Sequence, residues 1–245
     1  MPRSPRIHRY RDGDELVARA ANMLLQRLIS LQAGGTHVPQ LGLSGGRIAS
    51  QVYAAFAQVA PLTPFDPALL ELWWTDERFV PLHDDFRHAG QTLSSLAGAL
   101  AFDPARTHPM PAADGQVELD QAARVYAQEL GDTVFDICML GMGPDGHVAA
   151  IFRDHPSFEP TSQTVIPVRD SPKPPGERLS VSLSVLNRSR EVWFVVNGAE
   201  KAAAVREALS GNPDVPAARV GGSVRTLWLV DEPAAAELPW HVCDL

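Results

Sequence analysis

The chain has 245 residues, 45% hydrophobic and 20% charged, the balance of a globular protein able to bury a full core. Its net charge of −8 argues against a nucleic-acid partner, which wants a basic stripe, and against adhesion to an anionic membrane. Cys138 and Cys243 give no disulfide framework, and no apolar run approaches the ~20 residues of a membrane span.

Arg3, Arg6, Arg9 and Arg11 crowd the start of the chain without an apolar h-region, so no signal peptide is expected and the protein reads as cytoplasmic. No Ser/Gly-rich linker or charge block divides residues 1–245, which read as a single α/β domain. Residues 12–33 form an amphipathic helix by pattern. Asp12 and Glu15 resemble a capping box, Leu16, Val17, Ala20, Ala21, Leu24, Leu25, Leu28 and Ile29 make one stripe, and Gly34-Gly35 ends it.

A short strand is predicted over 38–43, then the turn Ser44-Gly45-Gly46-Arg47, then a helix over 48–59. A strand, a glycine turn and a helix N-terminus together make an anion site, to which Arg47 adds a full charge. The turn has neither the Walker spacing nor GxGxxG. Residues 69–74 read as an apolar strand ending in the polar run Thr75-Asp76-Glu77-Arg78, which is either a solvated loop or a ligand-binding strand end. A helix follows over 89–100. His83 and His88 read as surface histidines, because their spacing is not HExxH and no acidic partner sits in register; no metal site is inferred.

A short strand over 107–110 and an amphipathic helix over 117–130, with Leu119, Ala122, Ala123, Tyr126 and Leu130 inward, lead to the central stretch. Ile137-Cys138-Met139-Leu140 is an apolar run short enough to be a strand buried on both faces. Gly141-Met142-Gly143-Pro144-Asp145-Gly146 is a turn whose three glycines permit positive φ and close approach of a ligand. His147 opens a predicted helix over 147–152. A carboxylate and an imidazole two residues apart thus sit at the carboxyl end of a buried strand, where open α/β sheets bind ligands. A plain αβ turn capped by Asp145 has the same local pattern.

Residues 153–160 read as loop and 164–168 as strand. Residues 170–177, rich in Pro and Gly, read as an exposed loop of the kind that can act as a lid. Residues 178–183 alternate as a half-buried strand, and 192–196 read as a buried one. Asn197-Gly198-Ala199-Glu200-Lys201 turns into a helix running to 209. A lysine in a first turn opposes the helix dipole unless an anion is near. A last strand over 227–230, a short helix from Asp231 and a tail from Leu238 complete the chain. The alternation indicates a mostly parallel sheet with helices on both faces.

Taken in order, Ser44-Gly45-Gly46, Trp74-Thr75-Asp76-Glu77-Arg78-Phe79-Val80-Pro81, Gly141-Met142-Gly143-Pro144-Asp145-Gly146-His147 and Asn197-Gly198-Ala199-Glu200-Lys201 resemble the 6-phosphogluconolactonase family, of the glucosamine/galactosamine-6-phosphate isomerase superfamily, across nearly the whole chain. The resemblance implies a Rossmann-like three-layer α/β/α sandwich shared with glucosamine-6-phosphate deaminase, ribose-5-phosphate isomerase and CoA transferases. It implies hydrolysis of 6-phospho-D-glucono-1,5-lactone to 6-phospho-D-gluconate, the second step of the oxidative pentose phosphate pathway, with no metal or organic cofactor. The expected partner is a small phosphorylated sugar lactone, with no nucleic acid and no membrane, and the protein is expected to be a monomer or weak homo-oligomer.

Lactone hydrolysis needs an activated water and a stabilised oxyanion. A histidine, with an unperturbed pKa near ~6.5, can be the base at neutral pH. That role falls to His147, with Asp145 orienting it or holding a sugar hydroxyl, as Asp76 also could. The following helix dipole and the glycine backbone are the expected oxyanion stabilisers. Arg78, Lys201 and Arg47, with the Gly45 and Gly46 amides, are the phosphate candidates, and Arg178 a further one. The chain departs from the family pattern at Arg47 and Ile48 (commonly a Ser or Thr), at His88 (commonly Asn), and at Ala150 and Phe152-Arg153 (usually Ser, then Phe-Pro). Two other readings compete. A sugar-phosphate isomerase/deaminase would carry DEY at 76–78 and Asn-Glu-Pro after the histidine, where this chain has Phe152-Arg153-Asp154. A non-catalytic phosphosugar-binding paralogue would bind without turnover. A serine hydrolase lacks its G-x-S-x-G elbow.

Overall fold

A computed structural model describes residues 4–35, 37–96 and 98–239. The N-terminal strand β1 (Arg6–Tyr10) leads into α1 (Gly13–Ala33). Asp12 caps α1 by accepting from the Glu15 N–H at 2.9 Å, while Glu15 reaches back to the Arg11 N–H at 3.0 Å. The predicted stripe faces inward: Leu16, Ala20, Ala21, Leu24, Leu25 and Leu28 are all buried. Next come β2 (Gln40–Leu43), α2 (Arg47–Val59), β3 (Glu71–Trp74), β4 (Asp76–Arg78) and α3 (His88–Leu96). The middle of the chain holds β5 (Thr107–His108), α4 (Leu119–Leu130), β6 (Ile137–Leu140) and β7 (Val165–Val168). It closes with β8 (Arg178–Val181), α5 (Leu183–Arg188), β9 (Glu191–Val196), α6 (Ala202–Leu209) and β10 (Arg225–Asp231).

Seven strands form one parallel sheet in the order β1-β10-β9-β6-β2-β3-β5. Every residue of β6 and β9 is buried, as expected of strands covered on both faces. Because the strands are parallel, the turns after β9, β6, β2 and β3, four neighbours, emerge on one edge. The sequence motifs lie on those turns. α1 packs on α2 and α2 on α3, while α4 lies against β7 and β8. The core cluster is apolar, with charged side chains such as Glu77 and Arg87 buried beside it; Cys138 sits in β6, its thiol pushed up to about 12 by burial, and is inert packing. Cys243 lies outside the described residues.

Several elements differ from the sequence expectation. β1 has no sequence signal, since its pattern alternates weakly and it is an edge strand beside β10. Asp76–Arg78, read as either a solvated loop or a ligand-binding strand end, is itself a strand of a second, antiparallel sheet, β4-β8-β7, with Arg78 opposite Arg178. β8 is buried at all four residues rather than half-buried, because β4 and β7 flank it on both edges and α4 packs against it. The chain after Asp231 makes hydrogen-bonded turns instead of a helix, anchored by the Ala234 N–H on Asp231 Oδ1 at 2.9 Å. No helix forms over 147–152. There Val148 and Ile151 pair across a tight turn with Ala149 at φ 49°, and Val148, Ala150, Ile151 and Phe152 are all fully buried. Such a segment has no polar face to present to water, which a surface helix requires.

Candidate active site

The four turns close around a cavity of about 250 Å³ whose wall includes Gly45, Gly46, Arg47, Asp76, Arg78, His147, Arg178 and Lys201. Ser44 ties two of the turns together: its hydroxyl donates to the Met139 carbonyl at 2.9 Å and accepts from the Gly141 N–H at 3.3 Å. Asp145 stands behind the cavity wall, on His147.

The base pair is built by the turn after β6. The Gly146 N–H donates to Gly143 O at 3.0 Å, and the Gly143 N–H to His147 O at 3.1 Å, so the loop folds back on itself. Gly146, at φ 78°, is the one glycine of this turn in the left-handed region. Gly143 is needed for closeness instead: a Cβ there would lie 2.0 Å from His147 Nδ1. The fold-back brings His147 Nδ1 to 2.6 Å from Asp145 Oδ1. A carboxylate only accepts, so Nδ1 carries the proton and Nε2 the lone pair. Burial works to raise the Asp145 pKa. The hydrogen bond and charge of His147 and the charge of Lys173 outweigh it and hold the carboxyl far below the usual carboxylate range. Asp145 is therefore an anion throughout the range in which histidine titrates.

Lys173 is a site residue that the sequence reading missed. Its ammonium lies 3.3 Å from Asp145 Oδ1 and 3.2 Å from His147 Nδ1. The second contact joins two donors and is not a hydrogen bond; the ammonium pairs with Asp145. Composition marks 170–177 as an exposed loop of the kind that can act as a lid, without singling out Lys173. Nothing local to Pro172-Lys173-Pro174 says which way the lysine faces, because its ammonium is held by Asp145, 28 positions away, while the loop backbone is folded in by Arg178. That guanidinium, 4% exposed, donates to the carbonyls of Lys173 at 2.8 Å and of Pro174 and Pro175 at 3.3 Å. Its pKa is lowered, chiefly by burial and then by the Arg78 charge.

His88 is the second correction. It is buried rather than on the surface, and it joins the cavity wall. Its Nδ1 lies 3.3 Å from the Asp76 carbonyl and 3.5 Å from the Asp76 carboxylate, both acceptors, so Nδ1 holds a proton here too. The ring lies over the glycine turn, and a Cβ on Gly45 would meet His88 Cδ2 at 1.9 Å. Among the described residues no group of three His, Cys, Asp or Glu side chains is placed to hold an ion.

The cations divide between two ends of the cavity. Arg47 opens α2, whose cap residue Gly46 has φ 103°. Lys201 follows β9 on the turn after Gly198, whose N–H is fixed by Asp231 at 3.0 Å. Burial lowers the pKa of Lys201, and the charges of Arg47 and Lys173 lower it further, against Glu200 and Asp231, so these three cations share one field. Arg78 and Arg178 lie at the other end, beside Asp76. Arg78 donates to Phe86 O at 2.6 Å and lines the cavity.

Residues 11–228 match the family model described as glucosamine-6-phosphate isomerases/6-phosphogluconolactonase. A 6-phosphogluconolactonase of Streptomyces coelicolor is 39% identical over 98% of this chain and 97% of its own. The human 6-phosphogluconolactonase is 36% identical over 92% of this chain and 91% of its own. Among solved structures, a 6-phosphogluconolactonase from Thermotoga maritima superposes with a TM-score of 0.81 at 27% identity, covering 93% of this chain and 99% of that one. A monomeric glucosamine-6-phosphate deaminase shares the fold, with a TM-score of 0.78 at 21% identity over 94% of this chain and 99% of that one.

Proposed function

The chain belongs to the glucosamine-6-phosphate isomerase/6-phosphogluconolactonase family, and we propose that it is a hydrolase that opens 6-phospho-D-glucono-1,5-lactone to 6-phospho-D-gluconate with His147 as general base. The observation that carries the reading is the 2.6 Å pair of His147 Nδ1 with Asp145, which leaves Nε2 basic on a cavity lined by cations. Water loses a proton to Nε2 as its oxygen attacks the lactone carbonyl. The imidazolium is stabilised by Asp145, and it returns the proton to the leaving ring oxygen. The phosphate sits with Arg47 and Lys201 at the N-terminus of α2, where the Gly45 and Gly46 amides add donors. Asp76 accepts from a sugar hydroxyl.

The test is lactone opening followed by NMR, with fresh lactone generated from glucose 6-phosphate and a protein-free control for spontaneous opening. Opening faster than the control supports the reading. A rate equal to the control sinks it and leaves phosphosugar binding as the function.

Two variants test the assignment of the phosphate. Arg78→Ala, at the end of the cavity away from Arg47 and Lys201, is expected to leave affinity for inorganic phosphate within a few-fold of wild type. Lys201→Met is expected to raise KM roughly tenfold or more while raising the Tm of the ligand-free protein. The sign follows from the lowered pKa of Lys201. The unfolded chain holds that proton more tightly, so below lysine's ordinary range the charge opposes folding, and the cost disappears as pH rises through it. A Tm lower than that of wild type at neutral pH would contradict the assignment of Lys201 as a cation held for an anion.

A further inference from the structure

We propose that Lys173 is a catalytic residue of the lactone opening, its ammonium stabilising the oxyanion that forms as water attacks; the inference rests on the hydrolase reading above. It starts from what the turn after β6 does not offer. No helix follows His147, so no helix dipole points at the reacting carbonyl. The three glycine N–H groups of the turn are already committed, Gly141 to Ser44 Oγ at 3.3 Å, Gly143 to His147 O at 3.1 Å and Gly146 to Gly143 O at 3.0 Å. None of these three N–H groups is left for the negative charge that develops beside the base.

Lys173 is the cation beside the base. Its Nζ lies 3.2 Å from the His147 ring and joins the cavity wall. An ammonium has three N–H bonds, and among the described residues Asp145 is its only hydrogen-bond acceptor. The backbone of Lys173 is fixed without the aid of its side chain. Ser171 Oγ and the buried Arg178 guanidinium donate to its carbonyl at 3.0 and 2.8 Å, and the Ser171 N–H closes the loop on Gly176 O at 3.0 Å. The ammonium is thus delivered to the site on a pinned strap.

Charge accounting favours this role. With substrate bound, Lys173 and Asp145 neutralise each other and the lactone carbonyl is uncharged. In the transition state the water proton moves to His147 Nε2, the water oxygen bonds to the carbonyl carbon, and the carbonyl π pair becomes an oxyanion. Asp145 then faces imidazolium while the ammonium faces the oxyanion, so each new charge meets an opposite one. When the oxyanion collapses, the bond from the carbonyl carbon to the ring oxygen breaks. That oxygen takes the proton from Nε2, and the free acid ionises to solvent. The interaction is strong only once the oxyanion exists, which is the condition for lowering the barrier without tightening substrate binding.

The experiment compares Lys173→Met and Lys173→Arg with wild type for kcat, KM, the pH profile and affinity for the product 6-phosphogluconate. Lys173→Met, which keeps the aliphatic stem, is expected to lower kcat roughly 100- to 1,000-fold. KM and product affinity stay within about threefold, and Lys173→Arg recovers part of the loss. A kcat within threefold of wild type overturns the proposal. So does a raised KM with kcat intact, which would make Lys173 a phosphate ligand. So does a loss fully regained at another pH, which would make it a group that only tunes His147. Wild type no faster than buffer removes the hydrolase reading and this inference with it; wild-type turnover with an unaffected Lys173→Met removes the inference alone.

Discussion

His147→Ala is expected to lose about 10²–10⁴ of kcat on 6-phosphogluconolactone, the usual contribution of a positioned general base. KM should remain within a few-fold, because the base acts on water and not on the phosphate. The variant should also fold. His147 sits at the cavity wall with its side chain 17% exposed, and its main packing partner is the Phe152 ring at 4.8 Å. Phe152 itself is fully buried under other contacts, so truncation opens the site more than the core. Asp145 remains paired with Lys173 in the variant, which keeps the loop closed. The measurement is NMR of lactone disappearance, with the spontaneous rate subtracted and folding checked by circular dichroism. A variant that keeps its fold and more than a tenth of wild-type kcat would remove His147 from the mechanism.

The parts of the site legible in the sequence are those fixed by a strand followed directly by its turn. Ile137–Leu140 and Val192–Val196 are apolar runs that only a covered parallel strand explains, and Asp145, His147 and Lys201 follow them within a few residues. Parallel pairing then brings the turns together without further information. What was not legible depends on distant partners. Lys173 lies in a loop that composition marks as exposed; its ammonium is held by Asp145, 28 positions away, and its backbone by Arg178, buried in β8. The run Val148-Ala149-Ala150-Ile151 has no helix-breaking residue. Helix is nonetheless excluded, because four of the five residues from 148 to 152 are buried and the Ala150 N–H is taken by Ser180 Oγ at 3.2 Å. His88 looked like a surface residue since its partner, Asp76, is twelve positions away on a strand that itself looked like a loop.

That strand carries the second large expected effect, on stability. Glu77 is fully buried, which a sequence reader assigns to solvent because its neighbours are charged as well. Its carboxylate accepts from the Arg78 N–H at 2.8 Å, from the His88 N–H at 2.7 Å and from the Ala89 N–H at 2.8 Å. The last two are unpaired donors of the first turn of α3, so a side chain on β4 caps a helix that begins eleven residues later. The same carboxylate lies 3.6 Å from the guanidinium of Arg87, which is 1% exposed. Glu77→Ala therefore leaves three backbone N–H donors without their acceptor and a buried cation with only the Met110 and Pro111 carbonyls, at 2.6 and 3.3 Å. Breaking a buried pair from one side costs about 3–5 kcal/mol. For a chain of this size that lowers Tm by about 6–20 °C, read by thermal unfolding. Glu77→Gln should lose less, since its amide oxygen can still accept from two of the N–H groups while its NH₂ opposes Arg87. Both variants should also lose activity before they unfold, because Glu77 fixes the backbone of Arg78 and of His88 at the cavity wall. If Glu77→Ala melts within 2 °C of wild type, the carboxylate is not what holds β4 to α3, and Arg87 must be satisfied by its carbonyls alone.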